Sequence, residues 1–205
     1  MRAVAALLIC LGLGLAACKP APAAGAGQDD MSLGNPAAKV TMLEFASLGC
    51  PICAKWNADT FPAFKAKYID TGKVHYVLKE FNTGDGPVAA AGFLLARCAG
   101  KDKYFQIVDA VFRQEAPLLE SDQNAEKRDR LVKIAQSAGI SEAQFDACTQ
   151  DDKALQAFND RATKASTEYH VDSTPTFIIN GKSTTGDFDI ATMDKAVADA
   201  QAAAK

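Results

Sequence analysis

Apolar positions along the chain follow different periods, and each period predicts a different element. Behind Arg2, Ala3 to Leu15 is apolar almost without interruption. That is short of the ~20 residues that span a membrane and fits the core of a secretory signal at residues 1–17. Lys19 to Asp30 is rich in Pro, Ala and Gly with no periodicity. It reads as a flexible tether with a typical reach of ~20 Å. From Lys39 to Ser47 (KVTMLEFAS) both parities are apolar apart from Glu44, as in a central strand buried on both faces. Pro51 then fits the first turn of a helix running to about Tyr68, and Val74 to Phe81 reads as the next strand.

Between Pro87 and His170 the period changes to three and four. Tyr104, Ile107, Val108, Val111 and Phe112 make one stripe, and Leu131, Ile134, Ala135 and Ala138 another, so this stretch is a helical insertion. Helices are expected over Pro87 to Ala99 and Glu142 to Thr149. Gly100 and Gly139 stop helices, Ser141-Glu142-Ala143-Gln144 is a capping box, and Asp151 or Asp152 caps the next helix. Thr176 to Ile179 returns to strand, Asn180-Gly181 is a two-residue hairpin turn, and Ser183 to Thr185 is its partner. A helix from about Ile190 to Ala203 closes an α/β domain over 31–205, with the insertion at about 85–170.

The 205 residues are 48% hydrophobic, enough for one sizeable core. Net charge is −3, from 22 basic and 25 acidic residues. With no basic run or stripe, nucleic acid is excluded as an expected partner.

Leu15-Ala16-Ala17-Cys18 resembles the lipobox of bacterial lipoproteins. That likeness implies that Cys18 is lipidated and becomes the new N-terminus, so that residues 18–30 tether an exported, periplasmic domain to a membrane. The alternative is cleavage at Ala21-Pro22-Ala23 or Ala24-Gly25-Ala26, which discards Cys18.

Six cysteines stand at 10, 18, 50, 53, 98 and 148. Cys10 leaves with the signal, and in an oxidising compartment the last four make two pairs. Cys50-Pro51-Ile52-Cys53 puts two thiols one turn apart at the start of a helix, where unpaired N–H groups and the helix dipole favour thiolate. This is the chemistry of thiol-disulfide exchange. Cys50, preceding the helix, is the expected nucleophile; Cys53, one turn in, is the buried resolving thiol. Cys98 with Cys148 is the candidate structural bridge, worth roughly 4 kcal/mol in the chain-entropy model. Two buried free cysteines are the alternative. Trp56 either borders a substrate groove or packs in the core. His75 and His170 are the two histidines; they have no metal-ligand spacing, so no metal site is expected.

Three segments, LEFASLGCPICAKW from Leu43, YFQIVDAVFRQ from Tyr104 and VDSTPTFIINGK from Val171, resemble the bacterial DsbA-like branch of the thioredoxin superfamily. The resemblance extends over about Met31 to Ala203. It implies a thioredoxin-like fold whose two strand-helix halves flank a helical insertion, and a cis Pro175 facing the cysteines. Thr174 and Pro175, with Pro51 and Ile52, then form the substrate-binding surface, Thr174 presenting backbone groups to an extended peptide. The resemblance also implies that Glu44 assists proton transfer at the buried cysteine. An ion pair with Lys79 is the other explanation for a buried carboxylate there.

No cofactor is expected beyond the redox-active Cys50-Cys53 disulfide. The implied partners are reduced or misoxidised exported proteins and a membrane redox protein, either DsbB-like or a reductant of the DsbD type, serving a monomeric enzyme. Disulfide formation is the expected activity. Isomerase or reductase action by the same fold is the alternative, kept open by Thr174. Isomerases of this superfamily carry a dimerisation domain ahead of the fold, and here only the tether precedes Lys39. A non-catalytic thiol- or peptide-binding lipoprotein is a further alternative. The DsbA prototype has histidine where this chain has Ile52, which implies a less stabilised thiolate and a milder oxidant.

Overall fold

The structure is a computed structural model that describes residues 29–184 and 188–204. The expected signal, Cys18 and most of the tether therefore lie outside the described residues, as does Thr185.

Five strands form one sheet in the order β1-β3-β2-β4-β5: β1 Met31–Gly34, β2 Val40–Ala46, β3 Val74–Glu80, β4 Thr176–Ile179 and β5 Lys182–Thr184. β2 and β3 run parallel, joined through helical chain, and the other pairs are antiparallel. Every residue of β2 is buried, as its two apolar parities require. Asn180 and Gly181 both take positive φ, 46° and 81°, the backbone a two-residue hairpin turn demands.

β1 is a strand that the sequence pattern does not signal. Its four residues, MSLG, are too short to show alternation, and they take strand form because β3 leaves an open edge beside them. The tether is also shorter than expected at its domain end. Asp30 pairs with Lys79, and the Asp29 carbonyl accepts from Arg97 at 3.2 Å, so both residues are docked.

The helix expected from Pro51 to Tyr68 is broken into α1 Pro51–Asp59, α2 Phe61–Phe64 and a π-helical turn, Lys65–Ile69. Pro62 explains the break, because it has no N–H to bond back to the preceding turn. The insertion comprises α3 Gly86–Cys98, α4 Lys101–Arg113, α5 Glu115–Glu120, α6 Asn124–Ser137, α7 Glu142–Thr149 and α8 Asp152–Tyr169. Ser141 and Gln144 form the expected capping box, Asp151 rather than Asp152 caps α8, and His170 ends it in the left-handed conformation. The last helix is α9, Ile190–Ala203.

The sheet faces two cores. Val40, Met42, Ala46, Tyr76, Leu78 and Phe177 pack with α1, α9 and the insertion. Leu43, Phe45, Val77 and Ile178 pack on the other face under Ala165 of α8 and Val171. Cys98 and Cys148 are joined as a disulfide, with Cα atoms 6.0 Å apart, tying the end of α3 to the end of α7.

Candidate active site

Cys50 lies where β2 hands the chain to α1. It is the N-cap of α1, in extended conformation, and its Sγ accepts from the Cys53 N–H at 3.4 Å. Pro51 occupies the first helical turn, where its missing N–H costs nothing. Cys50 and Cys53 are both free thiols in this structure, and Cys53 is the deeper of the two.

Two loops close around Cys50. Gly49 and Gly84 meet backbone to backbone: the Asp85 N–H donates to the Gly49 carbonyl at 3.0 Å, and a Cβ on Gly84 would stand 1.9 Å from that oxygen. Gly84 also has φ of +68°, so glycine is required on both counts. On the other side lies the cis Thr174-Pro175 bond, with the Thr174 carbonyl 3.4 Å from Cys50 Sγ. The loops are stitched together by the Ser47 hydroxyl, which donates to the Thr83 carbonyl at 2.7 Å, and by the Thr83 and Thr174 hydroxyls, 2.5 Å apart. Thr83 has no periodic signature in the sequence; only the meeting of the loops gives it a place.

This arrangement separates the two thiols chemically. Hydrogen bonding from the Cys53 thiol is the largest influence on Cys50, opposed by burial and reinforced by the Thr174 side chain and the N–H groups of Cys53 and Ile52. Together they pull the Cys50 thiol down to about 6. Burial pushes the Cys53 thiol strongly upward, and its hydrogen bond to Cys50 and the charges of Cys50 and Glu44 act in the same direction. One sulfur is held as a thiolate near neutral pH and the other as a thiol.

Glu44 is 1% exposed and faces the α1 side of β2. The alternative explanation for Glu44, an ion pair with Lys79, is not formed. Lys79 stands opposite Phe45 in the parallel register, hence on the other sheet face, where it pairs with Asp30. Glu44 instead accepts from the Tyr76 hydroxyl at 2.6 Å. Burial raises its carboxyl to about 8 against that hydrogen bond, with the Cys50 charge adding to the rise. Tyr76 shares Glu44's face because Met42 is its register partner. The signal is the parity of two strands, readable only after they are aligned.

Trp56 is core packing, with ring centroids 5.2 Å from Phe61 and 4.7 Å from Phe177. His75 is buried in β3, and His170 caps α8 at its C-terminal end. Among the described residues no cluster of His, Cys, Asp and Glu gathers as a metal-ligand set. Around Cys50 the surface is apolar: Ile52 is 60% exposed, Pro51 is exposed, and Thr174 is half-buried beside buried Pro175. Glu115, at the head of α5, is a further buried carboxyl that the sequence pattern does not single out.

The family model described as Thioredoxin matches residues 27–199. A Rickettsia typhi chain named as a protein-disulfide oxidoreductase is 33% identical over 157 residues, covering 76% of this chain and 56% of that relative, so the chain spans a little over half of that relative's length. Among solved structures, α-DsbA1 of Wolbachia pipientis superposes with a TM-score of 0.78 at 24% identity, covering 87% of this chain and 94% of that one. Oxidised BdbD of Bacillus subtilis gives 0.70 at 20% identity, covering 83% and 92%. The paired cysteines at a helix head, the adjoining cis proline and the helical insertion agree with these matches: the chain belongs to the thioredoxin family and has the DsbA-like form of its fold.

Proposed function

We propose that this chain is an exported thiol-disulfide exchange enzyme that forms disulfides in envelope proteins. The observation that carries the reading is the opposite displacement of two thiols one turn apart, Cys50 down to about 6 and Cys53 up. A good leaving group and a protonated resolving thiol are what an exchange enzyme needs in its reduced form.

In the oxidised form a substrate thiolate attacks Cys50 Sγ. The Cys50–Cys53 bond breaks as the substrate–Cys50 bond forms, and Cys53 leaves with the electron pair. Glu44, protonated at neutral pH and on the same side of the sheet as Cys53, supplies the proton that makes Cys53 a thiol. The second substrate thiol, losing its proton to solvent, then attacks the substrate sulfur of the mixed disulfide and expels Cys50 as thiolate, while Glu44 regains a proton from solvent. The substrate is oxidised by two electrons and the Cys50–Cys53 pair is reduced by two. A partner disulfide or a quinone-linked membrane protein of the DsbB type takes those electrons to restore the enzyme.

Exposed Ile52 and Pro51 give an unfolded peptide an apolar landing surface, and Thr174 offers backbone groups for strand addition. A Cys50 pKa of about 6 lies between those of the strongly oxidising DsbA, about 3.5, and of thioredoxin, about 7. That supports a milder oxidant than the prototype, as the absence of a histidine at Ile52 implies. Lipidation at Cys18 belongs to the same reading: it would keep the enzyme beside a membrane redox partner.

Replacing Cys53→Ser in cells tests the whole reading. Mixed disulfides between Cys50 and exported proteins should accumulate in the membrane fraction. No adducts would reject the exchange role, and adducts confined to the soluble periplasm would reject the anchor. Wild-type Cys50 and Cys53 found mostly reduced in cells would turn the direction of flow toward isomerase or reductase.

A further inference from the structure

Thr83 is held from several sides, and what it is held against is the residue that touches Cys50. It stands half-buried in the loop between β3 and α3. The buried Ser47 spends its one hydroxyl proton on the Thr83 carbonyl at 2.7 Å, while its oxygen accepts from the Gly49 N–H at 3.3 Å. Two residues on, the Asp85 N–H donates to the Gly49 carbonyl. The Asp85 carboxylate caps α3 through the Val88 N–H at 3.1 Å and pairs with Lys127 of α6. These contacts tie the loop to the β2–α1 connection and to α6. They fix the Thr83 backbone and set its hydroxyl 2.5 Å from that of Thr174.

Two oxygens that close must share a hydrogen, and the state of Cys50 decides whose it is. As a thiol, Cys50 donates to the Thr174 carbonyl at 3.4 Å, and the Thr174 hydroxyl is free to donate to Thr83. As a thiolate, Cys50 has lost that proton and its sulfur only accepts. Its donors then include the Cys53 N–H at 3.4 Å and the side chain of the adjoining Thr174. After the Cys53 thiol, and against burial, that side chain helps to hold Cys50 low. A hydroxyl carries one proton. Once Thr174 turns its own toward sulfur, the 2.5 Å contact requires Thr83 to be the donor. Hydrogen bonds in such a chain polarise one another, so a donor behind Thr174 strengthens its hold on the sulfur.

We propose that Thr83 is a positioning residue for thiol-disulfide exchange: its hydroxyl holds that of Thr174 with the proton turned toward Cys50, and so stabilises the Cys50 sulfur as it leaves. This rests on the exchange function proposed above. When the second substrate thiolate attacks, the bond between the substrate sulfur and Cys50 breaks. Its electron pair stays on Cys50 as the substrate disulfide forms. The two hydroxyls hydrogen-bond to that charge without giving up a proton. Thr83 acts through Thr174, not on the sulfur itself.

The test is the rate at which iodoacetamide alkylates Cys50 in the reduced protein, from about pH 5 to 8, for wild type, Thr83→Ala and Thr83→Ser. Loss of the donor should slow Thr83→Ala about threefold at the acid end, where thiolate is scarce. At the alkaline end, where Cys50 is thiolate in both, the rates should converge. Thr83→Ser keeps the hydroxyl and should follow wild type. The titratable groups that act with Cys50 are Cys53, Glu44 and Glu115, and Asp85 with Lys127 charges the Thr83 loop; these substitutions change none of them. In a Thr174→Ala background Thr83→Ala should add nothing, because the hydroxyl it served is gone. A merely structural role would change the rate alike at every pH. A Thr83→Ala profile superimposable on wild type, or a shift that persists in Thr174→Ala, would overturn the proposal while leaving the exchange function intact. If Thr83→Ala does not fold, Thr83→Val takes its place with the same outcomes. A wild type that does not exchange with glutathione at any pH would instead remove the function on which the proposal rests.

Discussion

Glu44 is the residue whose surroundings make the clearest demand on its protonation. Its ordinary pKa of 4.5 is raised to about 8 on burial, so the folded chain holds a proton that the unfolded chain has lost. The sign is then fixed: stability from this group is full below pH 4.5, falls as pH rises, and levels off beyond about 8. The slope is at most ~1.4 kcal/mol per pH unit. Reduced Glu44→Gln should therefore gain on wild type in denaturant titrations between those limits and run parallel outside them; a constant offset would show that Glu44 is not held protonated. Cys50 works in the opposite sense, because its lowered pKa adds stability as pH rises, and comparison with Glu44→Gln separates the two contributions.

At the scale of elements, α3 joins the active site to the structural disulfide. It begins at Gly86, beside the Gly49–Asp85 contact, and ends at Cys98, twelve residues or ~18 Å away. The bridge to Cys148 closes a separation of 50 residues, which corresponds to ~4 kcal/mol of stabilisation in the chain-entropy model. The Cys98→Ala/Cys148→Ala protein should lose up to that amount in urea unfolding while its Cys50 alkylation rate keeps the same pH profile. A shifted profile would mean that the bridge reaches the active site through α3. Local signals placed several elements residue by residue. α7, β4 and α9 begin and end where the Ser141 capping box, the Asn180-Gly181 turn and the apolar period imply. The break after Asp59 was also written locally, in Pro62, although the apolar pattern carries on across it.

Across the whole molecule, one buried cluster joins sheet and insertion. Glu80, at the end of β3, accepts from Arg97 of α3 at 2.6 Å, from Arg161 of α8 at 2.8 Å and from Tyr104 of α4 at 2.8 Å. Both its oxygens are used, and its side chain is fully covered. Taking away the carboxylate leaves two guanidinium groups in a largely buried site without their partner. Glu80→Ala should cost about 3–5 kcal/mol in denaturant unfolding; a cost below ~1 kcal/mol would place the cluster among solvent-screened surface pairs.

The chain by itself determined what depends on neighbours in sequence. The CPIC pair at a helix head, the buried character of β2, the period of the insertion, the hairpin turn and the pairing arithmetic of Cys98 and Cys148 are all local or compositional, and the thioredoxin-like fold was implied by the resemblance of three segments to the DsbA-like branch. Tertiary structure decided what depends on register and approach. Glu44 faces Tyr76 and not Lys79 because two parallel strands align at one parity; β1 exists because β3 has an open edge; Thr83 reaches Thr174 because Gly49 and Gly84 let two loops touch. Hydrophobic period records which residues are buried, but the proton chemistry of buried groups is set by what they are buried against, and that is fixed only when distant segments meet.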